Sequence, residues 1–380
     1  MSFSSFGLSP FLLKALTEMN YEKPTPIQDQ AIPAILTGKD VLGIAPTGSG
    51  KTASYALPIL TMLSKAEKAK NRHIQSLILV PTRELAIQVE EVFKEFARSF
   101  PEPQKVKAVY GGVSINPQMK AMMGVSILIA TPGRLIELAE SNAIQLGTLK
   151  SLVLDEADKL LNLDFQEEMK RILGWIPKKR QNLLFSATLN DKVSEITQLV
   201  LHNPIVLKIE KEADSIDLIQ QTAFRVSDDR KGPLLRYLIR SRNMKQVLVF
   251  TSSTFKADQV VEKLRKNNID AQAIHSKKSQ DARTRVMRNF KAGHLKVMVA
   301  TDLIARGIDI EFLPFVINYE LPRSPKDFVH RIGRTGRAEA SGEALTFVSP
   351  DDEHHFKIIQ KKMGKQVPFE ETDQLDLHGY

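Results

Sequence analysis

Short apolar runs, rich in branched residues and each closed by a polar turn, recur along the chain. In the first half they are DVLGIAP, SLILVP, SILIATP, SLVLDEAD and NLLFSAT; in the second, QVLVFTSS, DAQAIHS, KVMVATD, FVINYELP and EALTFVS. Stretches of helical period, such as ELAIQVEEVFKEFA, separate them. This alternation predicts an α/β fold in which a mainly parallel sheet carries helices on both faces. The pattern restarts after KIEKEADSID, residues 208–217, a charged stretch without period that reads as a linker. Two α/β domains are therefore expected, at 1–207 and 218–367, followed by a tail at 368–380. Near the start, Ser9-Pro10 reads as an N-cap and first turn, with Leu12, Leu13, Leu16 and Met19 on one helical face.

Composition changes this picture little. Hydrophobic residues make up 42% and charged residues 26% of the 380 residues, as in ordinary globular chains. The net charge of +9 makes a polyanionic partner more plausible without naming one. Cysteine is absent, which excludes disulfides and thiolate metal sites and fits a reducing, cytoplasmic home. No apolar run approaches the roughly 18 residues of a membrane span, so no membrane association is expected.

Candidate chemistry sits where an open α/β sheet binds ligands, just after the strands. Ala45-Pro46-Thr47-Gly48-Ser49-Gly50-Lys51-Thr52 joins an apolar strand to a plausible helix. Glycines let backbone N–H groups curl round phosphate oxygens, Lys51 can reach the β and γ phosphates, and the Thr52 hydroxyl can ligand Mg²⁺. SLVLDEAD supplies a second carboxylate at a strand end: Asp155 for the metal, with Glu156 beside it to orient and deprotonate an attacking water. Far downstream, HRIGRTGR places Arg331, Arg334 and Arg337 three residues apart with Gly333 and Gly336 between them. Glycine costs about 1 kcal/mol against alanine inside a helix, so this is not an optimised surface helix.

Taken together, these stretches resemble the DEAD-box RNA helicases of superfamily 2, over nearly the whole chain. The family's motifs follow in order: Tyr21 to Gln28 with Phe3 upstream, the phosphate loop, Pro81-Thr82-Arg83-Glu84-Leu85-Ala86, Gly111-Gly112, Thr131-Pro132-Gly133-Arg134, Asp155-Glu156-Ala157-Asp158, Ser186-Ala187-Thr188, the region of Phe250, Gln280 to Arg283, Thr301-Asp302 through Gly307 to Asp309, and HRIGRTGR. SFSSFGLSP and HSKKSQDARTR are most similar to the bacterial RhlE-like branch. Two departures stand out: Pro46 replaces a usual glutamine, and Ser276 replaces the glycine that usually follows the histidine. Proline removes an N–H, but the phosphate-facing amides come later in the loop.

The resemblance implies two tandem RecA-like domains, with ATP and Mg²⁺ as ligands. It implies that Gln28 hydrogen-bonds the adenine edge, that Phe3 stacks on its face, and that Tyr21, Gly307 and Asp309 also serve the nucleotide. Arg334 and Arg337 would be the arginine fingers, with Arg331 bracing the domain interface. Asp158, Ser186, Thr188 and His330 would couple the domains. RNA contacts would come from Pro81, Thr82, Arg83, Gly111, Gly112, Thr131, Pro132, Gly133 and Arg134 in the first domain and Gln280, Arg283 and Thr301 in the second. These small, polar or basic groups suit the sugar–phosphate backbone and offer no set of base-reading side chains. The expectation is an ATP-dependent RNA helicase acting on single-stranded and duplex RNA without sequence preference. Ribonucleoprotein or RNA-decay partners are compatible with it. An ATP-gated RNA clamp that does not unwind, and a DNA-unwinding enzyme, are the competing readings. His354-His355 reads as part of a solvated helix rather than a metal site, since adjacent side chains point apart.

Overall fold

The computed structural model describes the chain except residues 1, 47, 67–70, 163–165, 190–196, 210–218, 303–312 and 336–341. The chain divides into two compact units, Met1–Lys211 and Glu212–Tyr380. Most of the expected linker lies outside the described residues.

The first unit is built on seven strands: β1 Val41–Ile44, β2 Ser76–Leu79, β3 Val106–Val109, β4 Ile127–Ala130, β5 Ser151–Leu154, β6 Gln181–Ser186 and β7 Ile205–Lys208. In space they run β3-β4-β2-β5-β6-β1-β7, and every pairing is parallel. β2 shows why its sequence is apolar throughout. Ile78 faces one hydrophobic core while Leu77 and Leu79 face the other. Burying such a side chain contributes roughly 1.5–3 kcal/mol, so a polar face on this strand would forfeit one of its two cores. Helices Pro26–Leu36, Lys51–Ser64 and Arg83–Ala97 supply the first core; Pro132–Glu140 and Gln166–Trp175 supply the second.

The second unit repeats the design with β8 Ile219–Arg225, β9 Val247–Thr251, β10 Ala271–Ile274, β11 Val297–Thr301, β12 Phe315–Asn318, β13 Gly342–Val348 and β14 Phe369–Glu371. Their order is β10-β11-β9-β12-β13-β8-β14, again all parallel. Val247 and Val249 of β9 face one core, Leu248 and Phe250 the other.

The structure corrects three sequence expectations. The segment expected as a tail is part of the second unit: β14 pairs with β8, and the Thr372 hydroxyl donates to the Arg225 carbonyl. Arg230 Nη2 then donates to the carbonyls of Thr372 at 3.1 Å and Leu375 at 3.3 Å, and the Tyr380 ring lies 5.3 Å from that of Tyr237. Strand β7 extends to Lys208, the first residue of the expected linker. Ser9 does precede helix Pro10–Glu18, but its side chain makes no capping bond; its N–H donates to Thr61 Oγ1 at 3.4 Å. Among the described residues, no helix is long and apolar enough to cross a membrane.

Candidate active site

Strand order sorts the sequence motifs into two rows. β5, β6 and β1 are neighbours, and their carboxyl ends lead into Asp155-Glu156-Ala157-Asp158, Ser186-Ala187-Thr188 and the phosphate loop. β3, β4 and β2 form the other half of the sheet, and they lead into Gly111-Gly112, Thr131-Pro132-Gly133-Arg134 and Pro81-Thr82-Arg83. One half thus gathers the groups suited to nucleotide chemistry, the other the groups suited to a phosphate backbone.

In the phosphate loop, Ala45 N–H donates to the Ser186 carbonyl at 3.0 Å, pinning the loop to the neighbouring strand. Ser49 Oγ donates to the Pro46 carbonyl at 2.8 Å, so proline's one remaining backbone group is used. Gly48 and Gly50 both take positive φ, and Gly50 opens helix Lys51–Ser64. Thr47 lies outside the described residues. A Cβ on Gly50 would come within 2.4 Å of Gln28 Nε2, so glycine is needed twice over: for its backbone and for that close approach. Lys51 is buried and its Nζ donates to the Ala45 carbonyl at 2.8 Å. Burial lowers its pKa, while Asp155 and Glu156 oppose that fall.

Gln28 is already engaged inside the protein. Its Oε1 accepts from Thr25 N–H at 3.0 Å, completing a capping box on helix Pro26–Leu36, and its Nε2 donates to the Gly50 carbonyl at 3.2 Å. Thr25 Oγ1 donates to the Ser49 carbonyl at 2.7 Å, a second tie to the same loop. The amide keeps one further donor and one further acceptor position. Phe3 is buried, edge-on to Phe6 and Tyr21 at centroid distances of 6.0 and 6.4 Å.

The carboxylates converge behind this loop. Asp155 is buried; its Oδ1 accepts Glu156 N–H at 2.9 Å and its Oδ2 accepts the Tyr55 hydroxyl at 2.7 Å. Thr52 stands three residues before Tyr55 on the same helix. Glu156 has φ +50°, a sparsely populated conformation for a non-glycine residue. Its carboxylate pairs with Lys159 Nζ at 2.7 Å. Burial raises the Glu156 pKa, and Lys159 opposes the rise. Asp158 Oδ2 accepts Thr188 Oγ1 at 3.0 Å, and Ser186 Oγ donates to the Thr188 carbonyl at 2.7 Å. Of the residues expected to couple the domains, Asp158 thus meets Thr188 directly, and Ser186 joins it through Thr188.

The donor set suits a hard cation. Thr52 and Asp155 offer oxygen only, and each Asp155 oxygen accepts one internal hydrogen bond and keeps a further lone pair. No group of three His, Cys, Asp or Glu side chains capable of caging a metal is found among the described residues. Magnesium shared between one or two protein oxygens and phosphates does not need one.

On the other half of the sheet, Thr82 caps helix Arg83–Ala97 by accepting Leu85 N–H at 3.3 Å, and Thr131 precedes helix Pro132–Glu140. Helix starts present unpaired N–H groups suited to phosphate. Pro81 and Pro132 are buried; a Cβ on Gly111 or Gly133 would meet nothing within 4 Å, which leaves room for a backbone. Gly112 has φ +77°, and the Arg83 guanidinium lies across it so closely that a Cβ would clash at 2.2 Å. Arg134 differs from expectation. It is buried, donates from Nη2 to the Val113 carbonyl at 2.8 Å and pairs with Glu137, so it props the Gly112 loop rather than presenting a free cation.

In the second unit, β10 and β11 are neighbours and bring Gln280, Arg283 and Thr301 to one end of the sheet. Arg283 is buried, with Nη2 donating to Gln280 Oε1 at 2.6 Å. Ser276 is exposed beside His275, whose Nε2 lies 3.1 Å from Asp258. Helix Pro325–Ile332 carries His330 and Arg331 in its last turn. Arg331, expected at a domain interface, is 2% exposed and fully engaged within its own unit. It forks onto Asp302 at 2.6 and 2.8 Å, donates to Asn318 Oδ1 and the Glu320 carbonyl, and lies 5.0 Å from the Phe250 ring centroid. Arg334 is 7% exposed. Gly333 has φ −68°, and a Cβ there would meet only carbonyls of its own helix, the nearer at 3.1 Å. Arg337, Gly307 and Asp309 lie outside the described residues. His355 Nε2 is 2.8 Å from the Pro322 carbonyl, a structural bond, while His354 is exposed.

Sequence reasoning misses Tyr55, Lys159 and Asn318 as site residues, and it quotes Thr25 and Asp302 within their motifs without giving either a role. Tyr55 and Lys159 stand one helical turn after Lys51 and Glu156, and that spacing is the signal that could have found them.

A glycine-lined loop between a parallel strand and a helix, with a buried lysine and a strand-end Asp-Glu pair, defines a P-loop nucleotide-binding protein. The chain matches the DEAD/DEAH box helicase family over residues 25–196 and the helicase conserved C-terminal domain over residues 230–339. The ATP-dependent RNA helicase CshA of Listeria monocytogenes is 38% identical over 367 residues, covering 96% of this chain and 69% of that protein. The DEAD-box ATP-dependent RNA helicase CshA of Geobacillus kaustophilus is 38% identical over 373 residues, covering 97% and 78%. Among solved structures, S. cerevisiae Dbp5 bound to RNA and ADP BeF3 has TM-score 0.85 and 29% identity, over 98% of this chain and 96% of that one. This chain belongs to the DEAD/DEAH box helicase family, and its two units are tandem RecA-like domains.

Proposed function

We propose that the protein is an ATP-dependent RNA helicase, in which RNA-stimulated hydrolysis drives local separation of duplex strands. The observation that carries this reading is the sorting of motifs along one sheet: Lys51, Asp155 and Glu156 buried together at β1 and β5, and the backbone-suited loops at β3, β4 and β2. Lys51 exchanges its bond to the Ala45 carbonyl for a phosphate oxygen. Thr52 and Asp155 hold Mg²⁺, which when bound neutralises charge on the phosphates. Glu156 takes the proton of the attacking water. The raised pKa of this buried carboxylate suits a base better than an ordinary glutamate would.

Gln28 reads adenine through its remaining donor and acceptor positions, with Phe3, Tyr21, Gly307 and Asp309 completing the nucleotide contacts. Arg334 and Arg337 act on the transferring phosphoryl group as permanently charged, planar donors. Thr82, Thr131 and the glycine loops, with Arg83, Gln280, Arg283 and Thr301, follow the RNA backbone. Asp158, Ser186, Thr188 and His330 relay nucleotide state.

A strand-displacement assay tests the reading. The unmutated chain should separate a short RNA duplex with ATP and not with GTP, whose O6 replaces the N6 donor. Glu156→Gln should still bind RNA in the presence of ATP while hydrolysis falls on the order of 10²–10⁴-fold. ATP-dependent RNA binding without any displacement by the unmutated chain would favour a clamp instead.

A further inference from the structure

Tyr55 has no part in the proposed chemistry, yet its hydroxyl lies at the centre of it. It stands on helix Lys51–Ser64, three residues after Thr52 and four after Lys51, so all three share a helical face at the phosphate end. Its side chain is fully buried. The ring is clamped by Phe185 at 5.3 Å and Phe93 at 6.1 Å, which fixes where the hydroxyl can be. From that position the hydroxyl donates to Asp155 Oδ2 at 2.7 Å, one hundred residues away in the chain. The other carboxylate oxygen is fixed by Glu156 N–H at 2.9 Å. With both oxygens held from opposite partners, the plane of the Asp155 carboxylate is set before any ligand arrives.

We propose that Tyr55 is a positioning residue for magnesium: its hydroxyl orients the Asp155 carboxylate for the metal–nucleotide complex. The proposal rests on the reading of Thr52 and Asp155 as the magnesium ligands. Partners that orient metal ligands are commonly worth 10- to 100-fold in metal affinity, because without them the ligand must be ordered at the moment of binding. The competing account is that a buried hydroxyl needs some acceptor and Asp155 merely serves as one. That account places the cost of removing the hydroxyl in folding, whereas ours places it in metal affinity.

Tyr55→Phe separates the two, since it keeps the ring and its packing and removes one oxygen. Binding of a fluorescent ADP is followed at increasing Mg²⁺, and again in EDTA, for the unmutated protein, Tyr55→Phe and Asp155→Asn. We expect the Mg²⁺ concentration for half-maximal tightening to rise about tenfold in Tyr55→Phe, with ADP affinity in EDTA unchanged. Asp155→Asn should raise it at least as much. An unchanged magnesium midpoint in Tyr55→Phe beside a shifted one in Asp155→Asn would overturn the positioning role alone. An equal loss of ADP affinity with and without metal in Tyr55→Phe would overturn it too, since packing would then be the cause. If Asp155→Asn itself leaves the midpoint unmoved, the assignment of the metal ligands fails first.

Discussion

Glu156 is the residue at which local structure and chemistry meet most closely. Its φ of +50° turns the side chain at the end of β5, and the Lys159 ammonium holds it there at 2.7 Å. Burial raises its pKa and Lys159 partly offsets that rise. A base with a raised pKa stays protonated further up the pH scale, so the acid limb of RNA-saturated ATP turnover should lie above the ordinary glutamate range. Lys159→Ala removes the opposing charge and should move that limb higher still; a limb that stays or falls would contradict burial as the cause of the shift and Lys159 as its opponent. The stability sign agrees. A carboxyl whose folded pKa is raised stabilises the fold below its unfolded pKa, and that contribution is lost as pH rises through the folded value. Glu156→Gln should therefore not lower the melting temperature at neutral pH. The sequence reveals the residue type at this position but not its surroundings. DEAD at a strand end names Glu156 and Asp155, and helical spacing from Lys51 puts Tyr55 near the phosphate loop, yet neither announces that Tyr55 meets Asp155 or that Gln28 is tied to Gly50. Those contacts join residues 100 and 22 positions apart, and only the packed fold brings them together.

At the scale of elements, strands are legible where both faces are buried. SLIL, SLVL and VLVFT read as strands because neither face can be polar. β3, β7 and β14 are harder to see: β3 and β14 close the edges of their sheets, β7 closes the opposite edge of the first, and IVLK and FEE have exposed positions. β8, IQQTAFR, is interior but polar at Gln220 and Gln221, which hides it from a search for apolar runs. The helix Pro325–Ile332 shows another limit. Its arginines are visible in sequence, but not that Arg331 points into its own domain and ties the end of β11 to β12. Removing one partner of a buried pair of this kind costs about 3–5 kcal/mol. Arg331→Met should therefore lower the melting temperature of the second unit by on the order of 10 °C. A variant of unchanged stability that has lost RNA-stimulated turnover would return Arg331 to the coupling role its motif suggests.

Across the whole molecule, the two units repeat one architecture with divided labour. The first carries the phosphate loop, the carboxylates and one set of backbone-suited loops; the second carries Gln280, Arg283, Thr301 and the arginine motif. The charge excess of +9 does not mark the site; strand order does. The central claim is that nucleotide turnover needs groups from both units and that RNA brings them into play. It is tested most directly by steady-state ATP hydrolysis of the full chain with and without saturating single-stranded RNA, run beside Arg334→Ala. The account predicts low turnover alone, strong stimulation by RNA, and a loss of roughly 10³–10⁵-fold in the stimulated rate of the variant, with its nucleotide-free RNA binding little changed. Equal turnover with and without RNA in the unmutated protein, or recovery of the variant at high RNA concentration, would contradict it.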